Sequence, residues 1–251
     1  MDLKLNGKTA LISGSSKGIG LSIANTLHDE GCKIILNGRH HESLKKLAKK
    51  FGDNVGFFPA DVTKRSECKK LVKYAINTFG NIDILICNVG DGKSSKPGLE
   101  KFTDWEKMID VNLNSSINLI TESLPSLKKT SGSIVCISSI AGIETTDAPI
   151  PYSIAKSALN YYVKNSSKPF AKFGIRINAV APGNILFKGS VWENKLKKNK
   201  KRVLDMISNK VPMNRFGTSD EIANLTTFIA SPLASFLTGN VIVADGGQTR
   251  S

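Results

Sequence analysis

Thr9-Ala10-Leu11-Ile12-Ser13-Gly14-Ser15-Ser16-Lys17-Gly18-Ile19-Gly20 decides how the chain must fold. A short apolar, β-branched run enters a glycine-rich turn, and the apolar spacing over Ile19–Glu30 then predicts a helix. Glycines let the backbone approach a ligand closely, and the first N–H groups of the helix have no partners of their own. Such a turn suits a pyrophosphate, which can accept from those N–H groups at the positive end of the helix dipole. The spacing is Gly-x-x-x-Gly-x-Gly, not the Gly-x-Gly-x-x-Gly of many dinucleotide sites. A strand-to-helix turn of this kind is the start of a βαβ unit.

The same alternation continues outward from it. Strands are predicted at Thr9–Ser13, Lys33–Asn37, Val55–Pro59, Ile84–Cys87, Ser133–Ser138, Arg176–Ala181 and Asn240–Ala244. Helical spacing covers Ile19–Glu30, His41–Phe51, Lys64–Phe79, Tyr152–Phe173 and Ser219–Ala230. Strands with little polar alternation, each followed by a helix, predict a parallel sheet covered on both faces. Right-handed crossovers make it a doubly wound, Rossmann-type α/β sheet, and the absence of repeats or linkers predicts one domain over residues 1–251. Two stretches interrupt the rhythm: the loop Gly90–Gly98, and 183–209, whose centre carries Lys195, Lys197, Lys198, Lys200, Lys201 and Arg202. Both leave the carboxyl edge of the sheet, where open α/β sheets bind ligands, so the second is expected to form a lid.

Composition narrows the classes. Hydrophobic residues make up 40% and charged residues 22% of the 251, which fits a globular chain with a full core. No apolar run is long enough to span a membrane, and the N-terminus lacks a secretory core, so a cytoplasmic location is expected. Cys32, Cys68, Cys87 and Cys136 lack metal-ligand spacing and read as reduced, mostly buried thiols. No metal site is expected. The net charge of +14 favours anionic partners, but no nucleic-acid recognition motif accompanies it. His28, His40 and His41 cluster without an acid–base partner set, which argues against a Ser-His-Asp hydrolase.

The glycine turn resembles the cofactor signature of the short-chain dehydrogenases/reductases. That resemblance runs along nearly the whole chain through Asp61-Val62, Asn88-Val89-Gly90, Asn112, Ser139, Tyr152-x-x-x-Lys156, Pro182-Gly183 and Asp245-Gly246-Gly247. It implies a nicotinamide cofactor held by Gly14, Ser16, Lys17, Gly18, Ile19, Gly20, Arg39, Asp61, Val62, Asn88, Gly90, Tyr152, Lys156, Pro182, Gly183 and Ile185. In it Asp61 would bond the adenine, and Ser139, Tyr152, Lys156 and Asn112 would be catalytic. Tyr152 and Lys156 share one helix face, and a neighbouring ammonium, together with the positive nicotinamide ring of the oxidised complex, should favour the phenolate and lower the phenol's pKa. The tuned phenol would exchange a proton with the substrate oxygen, with Ser139 orienting that oxygen. Asn112, expected in a long helix, would anchor a water in the proton relay.

Charge at the end of the second strand argues for NADP(H) over NAD(H). Gly38 stands where an acid would bind the ribose hydroxyl, while Arg39 and Lys17 offer cations to a 2′-phosphate. The substrate is less legible. The nearest resemblance within the family is to 3-oxoacyl-[acyl-carrier-protein] reductases, and the basic lid could receive an acidic carrier. Three departures weaken it: Val89 within Asn88-Val89-Gly90, the loop that begins at Asp91, and Phe187 where a threonine is expected. A less studied branch linked to surface-sugar and flagellin-glycan biosynthesis looks similar, so a phosphorylated or nucleotide-linked sugar is the rival substrate. A non-catalytic NADP-binding regulator is the rival from another class. The resemblance also implies a homotetramer, or less often a homodimer.

Overall fold

The computed structural model describes residues 1–250 and contains the expected parallel sheet. Its elements are β1 (Thr9–Ile12), α1 (Gly18–Asp29), β2 (Lys33–Gly38), α2 (His41–Phe51), β3 (Val55–Pro59), α3 (Arg65–Phe79) and β4 (Ile84–Cys87). There follow α4 (Phe102–Ile109), a π-helical turn (Asp110–Asn114), α5 (Ser115–Thr130), β5 (Ser133–Ile137) and α6 (Ile150–Ala171). The chain ends with β6 (Arg176–Pro182), β7 (Ile185–Leu186), α7 (Val191–Lys198), α8 (Lys200–Lys210), β8 (Gly217–Thr218), α9 (Ser219–Ala230) and β9 (Val241–Ala244). Seven strands lie side by side in the order β3-β2-β1-β4-β5-β6-β9, every pair parallel. The order reverses between β1 and β4, and this switch point opens the crevice at the carboxyl edge.

Successive strand residues face opposite sides, so each central strand feeds two cores. On one side Ala10, Ile12, Ile34, Leu36, Ile84 and Ile86 pack under α1, α2 and α9. On the other, Leu11, Ile35, Leu85, Cys87, Ile134 and Cys136 pack under α3, α5 and α6. All four cysteines are free and buried. Among the described residues no helix is long and apolar enough to cross a membrane, and no cluster of metal-ligating side chains occurs.

The middle of the chain differs from the expectation. Asn112 is not in one regular α-helix: α4 and α5 are joined through a π turn at Asp110–Asn114. A π turn inserts an extra residue in the ladder and re-aims side chains, often beside a site. The 183–209 stretch, expected as a lid, holds two short helices, α7 and α8, capped by the Ser190 and Asn199 side chains.

β9 closes one edge of the sheet, and Arg176 secures it. The guanidinium donates to the carbonyls of Leu237, Ile229, Ala230 and Ser231 and to Ser133 Oγ, at 2.9–3.3 Å. It therefore ties β5, β6, the end of α9 and the approach to β9 together. Replacing Arg176 by Ala leaves those carbonyls with fewer donors and should cost about 2–4 kcal/mol of stability. Urea unfolding of both proteins would check this, and a loss below about 1 kcal/mol would contradict it.

Candidate functional site

The glycine turn is built by strand ends that hydrogen-bond to one another. Ser15 N–H donates to the Asn37 carbonyl (2.8 Å), and Asn37 N–H donates to Ser15 Oγ (2.9 Å). From β4, Asn88 N–H donates to Ser13 Oγ (2.9 Å), and Asn88 Nδ2 donates to the carbonyls of Ser13 and Gly14. This crowding is why glycine stands at 14 and 20. A Cβ on Gly20 would lie 2.5 Å from both Asn88 Nδ2 and Gly14 O, and Gly14 has φ +64°. Lys17 precedes α1 in extended conformation, and no side chain caps the helix. Its first N–H groups therefore face the crevice as donors, and the residues fit a pyrophosphate.

Around that turn lie the other expected cofactor residues. Ser16 packs against Gly38 at the end of β2, and Arg39 follows, exposed. Among the described residues neither Lys17 nor Arg39 forms a salt bridge, so both charges are free for an anion. Asp61 sits at the carboxyl edge after β3, but its Oδ1 already accepts from Thr63 N–H (3.1 Å) and Thr63 Oγ1 (2.8 Å). Val62 is buried beside it, and Ile19 packs on the core beneath α1. Gly183 lies against Asp245, where a Cβ would come within 2.7 Å, and Pro182 and Ile185 are buried on either side.

Phe187 makes a contact that spacing did not reveal. Its ring covers Gly18, with carbons 2.5–2.8 Å from where a Cβ would stand, so no larger residue fits there. An apolar ring, which can donate no hydrogen bond, thus meets the turn where the resemblance implied a threonine.

Opposite the turn, Ser139 stands two residues past β5 and α6 presents Tyr152 and Lys156. Pro151 lies in the first turn of α6, where its missing N–H breaks no ladder bond. The Ser139 hydroxyl lies close enough to Tyr152 to lower the phenol's pKa, and it accepts from Ala141 N–H at 3.2 Å. Lys156 is 3% exposed, and its Nζ donates to the Ile137 carbonyl at 2.8 Å. Gly90 makes room for it: a Cβ there would lie 3.2 Å from Lys156 Nζ. The Asn112 amide is engaged by the loop after β4, accepting from Asp91 N–H (3.1 Å) and donating to the Asp91 (2.9 Å) and Met108 (3.1 Å) carbonyls.

A family model described as enoyl-(acyl carrier protein) reductase matches residues 14–249. The 3-oxoacyl-[acyl-carrier-protein] reductase of Rickettsia prowazekii (strain Madrid E) is 35% identical over 247 residues, which is 98% of either chain. The chain belongs to the short-chain dehydrogenase/reductase family. An uncharacterized oxidoreductase of Staphylococcus aureus (strain MW2) is 37% identical over 72% of this chain and 79% of its own. Among solved structures, a 7α-hydroxysteroid dehydrogenase complexed with NADH and 7-oxo glycochenodeoxycholic acid superposes with a TM-score of 0.90 at 27% identity. That match covers 100% of this chain and 97% of the other. This short-chain dehydrogenase/reductase is accordingly an oxidoreductase acting on CH–OH or C=O groups.

In the chain on its own, burial dominates Tyr152 and raises its pKa above the ordinary phenol value, the nearby Ser139 hydroxyl pulls it back, and the charge of Asp91 raises it further. Burial also lowers Lys156 to about 8. The ammonium, 6.0 Å from the ring centroid, does not offset the desolvation of the phenol. The pair is therefore held neutral-leaning in the chain on its own, and a further positive charge in the crevice would favour the phenolate.

A buried lysine lowered this far is unfavourable for folding below its folded pKa. The ammonium costs stability up to pH about 8, and the penalty fades as the pH rises from there toward the ordinary lysine value of 10.5. Lys156→Met should therefore lose turnover yet raise stability near neutrality by about 1–3 kcal/mol. Thermal melts at pH 7 and 9.5 would check it: the gain should shrink at the higher pH, and a variant less stable at pH 7 would contradict the sign.

Proposed function

We propose that the chain is an NADP(H)-dependent carbonyl reductase of the cytoplasm, working on 3-oxoacyl thioesters. One observation carries the chemistry: Ser139 and Tyr152 stand together at the open crevice, with buried Lys156 one turn further along α6. Bound there, a nicotinamide would supply or accept the hydride. Ser139 orients the substrate oxygen, and the Tyr152 hydroxyl donates its proton to that oxygen as the carbon is reduced. In the reverse direction the phenolate takes the alcohol proton. Lys156, fixed by the Ile137 carbonyl, would add its charge to that of an oxidised nicotinamide in favouring the phenolate. Asn112 contributes by holding the loop wall through Asp91.

Arg39 and Lys17, both free of acidic partners, favour the 2′-phosphate of NADP(H). Residues 183–209 act as the lid of a single-domain enzyme, and the lysines of α7 and α8 suit an anionic group or acidic carrier bringing the substrate. Exposed Phe236, Leu233 and Phe228 beside the β9 edge suit a homo-oligomer. A second reading, reduction of a phosphorylated or nucleotide-linked sugar, is favoured by the polar loop at Asp91 and by Phe187 over Gly18.

Two experiments test this reading. With NADPH and an acetoacetyl thioester, Tyr152→Phe should lower turnover by about a hundredfold or more while NADPH binding stays within roughly twofold. Substantial residual turnover would refute the assignment. Arg39→Asp should shift the NADPH/NADH ratio of kcat/KM toward NADH by about tenfold or more. An unchanged ratio would sink the argument for the phosphate.

A further inference from the structure

The loop after β4 brings a carboxylate to the wall of the crevice. Asp91 is flanked by two glycines that meet the catalytic side chains. A Cβ on Gly90 would stand 3.0 Å from Asn112 Oδ1, and one on Gly92 would stand 3.9 Å from the Tyr152 ring. The peptide of Asp91 is fixed from both sides by Asn112, as donor and as acceptor, so the residue cannot drift away with its loop. Its Oδ1 accepts from Lys93 N–H at 3.0 Å. Its Oδ2 faces Lys107 Nζ at 3.6 Å, longer than a hydrogen bond, and the side chain keeps 33% of its exposure. Acceptor capacity therefore remains for a ligand.

Neighbouring acids are differently placed. The two oxygens of Glu100 accept from Ile150 and Gly98 N–H, and Glu144 accepts from Arg250 N–H. Asp91 and Lys156 are the charged side chains that bear on Tyr152, with Lys107 behind Asp91. A fixed charge in a partly desolvated crevice discriminates ligands by sign much more strongly than the same charge in water.

We propose that Asp91 is a specificity-determining residue, favouring substrates with a hydroxyl or ammonium group beside the reacting carbon. Substrates with a carboxylate or phosphate at that position are disfavoured by it. An anionic carrier or phosphate remote from the carbonyl, near α7 and α8, is compatible with this selection. The proposal rests on the reading of Tyr152 as the proton donor.

The test uses three small ketones with NADPH: acetoin, methyl ethyl ketone and pyruvate, which carry a hydroxyl, no polar group and a carboxylate beside the carbonyl. The unaltered enzyme should favour acetoin over pyruvate in kcat/KM by about a hundredfold. Asp91→Asn keeps an acceptor for Lys93 N–H, so the loop retains its turn. It should narrow that ratio by roughly tenfold, and methyl ethyl ketone reports the change through Tyr152 that all three ketones share. Lys107→Met removes the counter-charge and should widen the ratio, an opposite sign that loop disruption would not produce. An unchanged ratio in Asp91→Asn, or changes in the same direction in both variants, overturns the proposal. So does turnover of the acetoacetyl thioester with no turnover of acetoin, an outcome that leaves the carbonyl-reductase reading standing. Absence of Tyr152-dependent turnover on thioester and ketones alike would overturn both.

Discussion

Asn88 holds the crevice together. Its side-chain amide donates to the carbonyls of Ser13 and Gly14, and its backbone N–H donates to Ser13 Oγ, so the ends of β1 and β4 are joined where the strand order reverses. These groups lie at a sheet edge where ladder bonds have run out, and unpaired backbone carbonyls there would be costly to bury. Because the amide fills the space between the strands, Gly20 can carry no side chain. α1 therefore starts close against the strand ends and leaves its first N–H groups facing outward. The anion-binding character of the turn follows from this packing.

The opposite wall obeys a different constraint. Ser139 follows β5, Tyr152 and Lys156 share one face of α6, and desolvation sets the electrostatics of the tyrosine and the lysine. Desolvation alone pushes the phenol up and the amine down, toward two neutral groups. The Ile137 carbonyl accepts a hydrogen bond from the lysine, which positions the group without neutralising its charge. The arrangement trades stability for reactivity, as a site with a buried ionisable group must.

The seven strands and their order of appearance were legible because parallel strands buried on both faces read as apolar, β-branched runs between helices. Ends differ by a residue or two, as at Ser138, which leaves β5 to turn toward the site. The π turn at Asp110–Asn114 was not legible, since its sequence, Asp-Val-Asn-Leu-Asn, has no feature that separates it from an ordinary helix. Helix spacing places Tyr152 and Lys156 as neighbours but not their depth, so the desolvation that raises the phenol in the chain on its own was not legible. Asp61 was read toward adenine, and the local turn in which Thr63 donates to its Oδ1 was not legible beside that reading. Phe187 was visible as an unusual residue, yet its contact with Gly18 depends on a loop path that periodicity does not encode.

The two ends of the chain are also joined to each other. α1 and α9 share one core, Ser22 hydrogen-bonds Asp220, and β9 supplies an outer strand of the same sheet. During synthesis the apolar face of α1 must therefore wait for about two hundred further residues before its native cover arrives. Contacts of such long sequence separation form slowly, and a ribosome-bound chain exposes that face for many seconds. Early protection of this nascent surface, by a chaperone or by transient burial against the first strands, is built into the order in which the fold is spelled out.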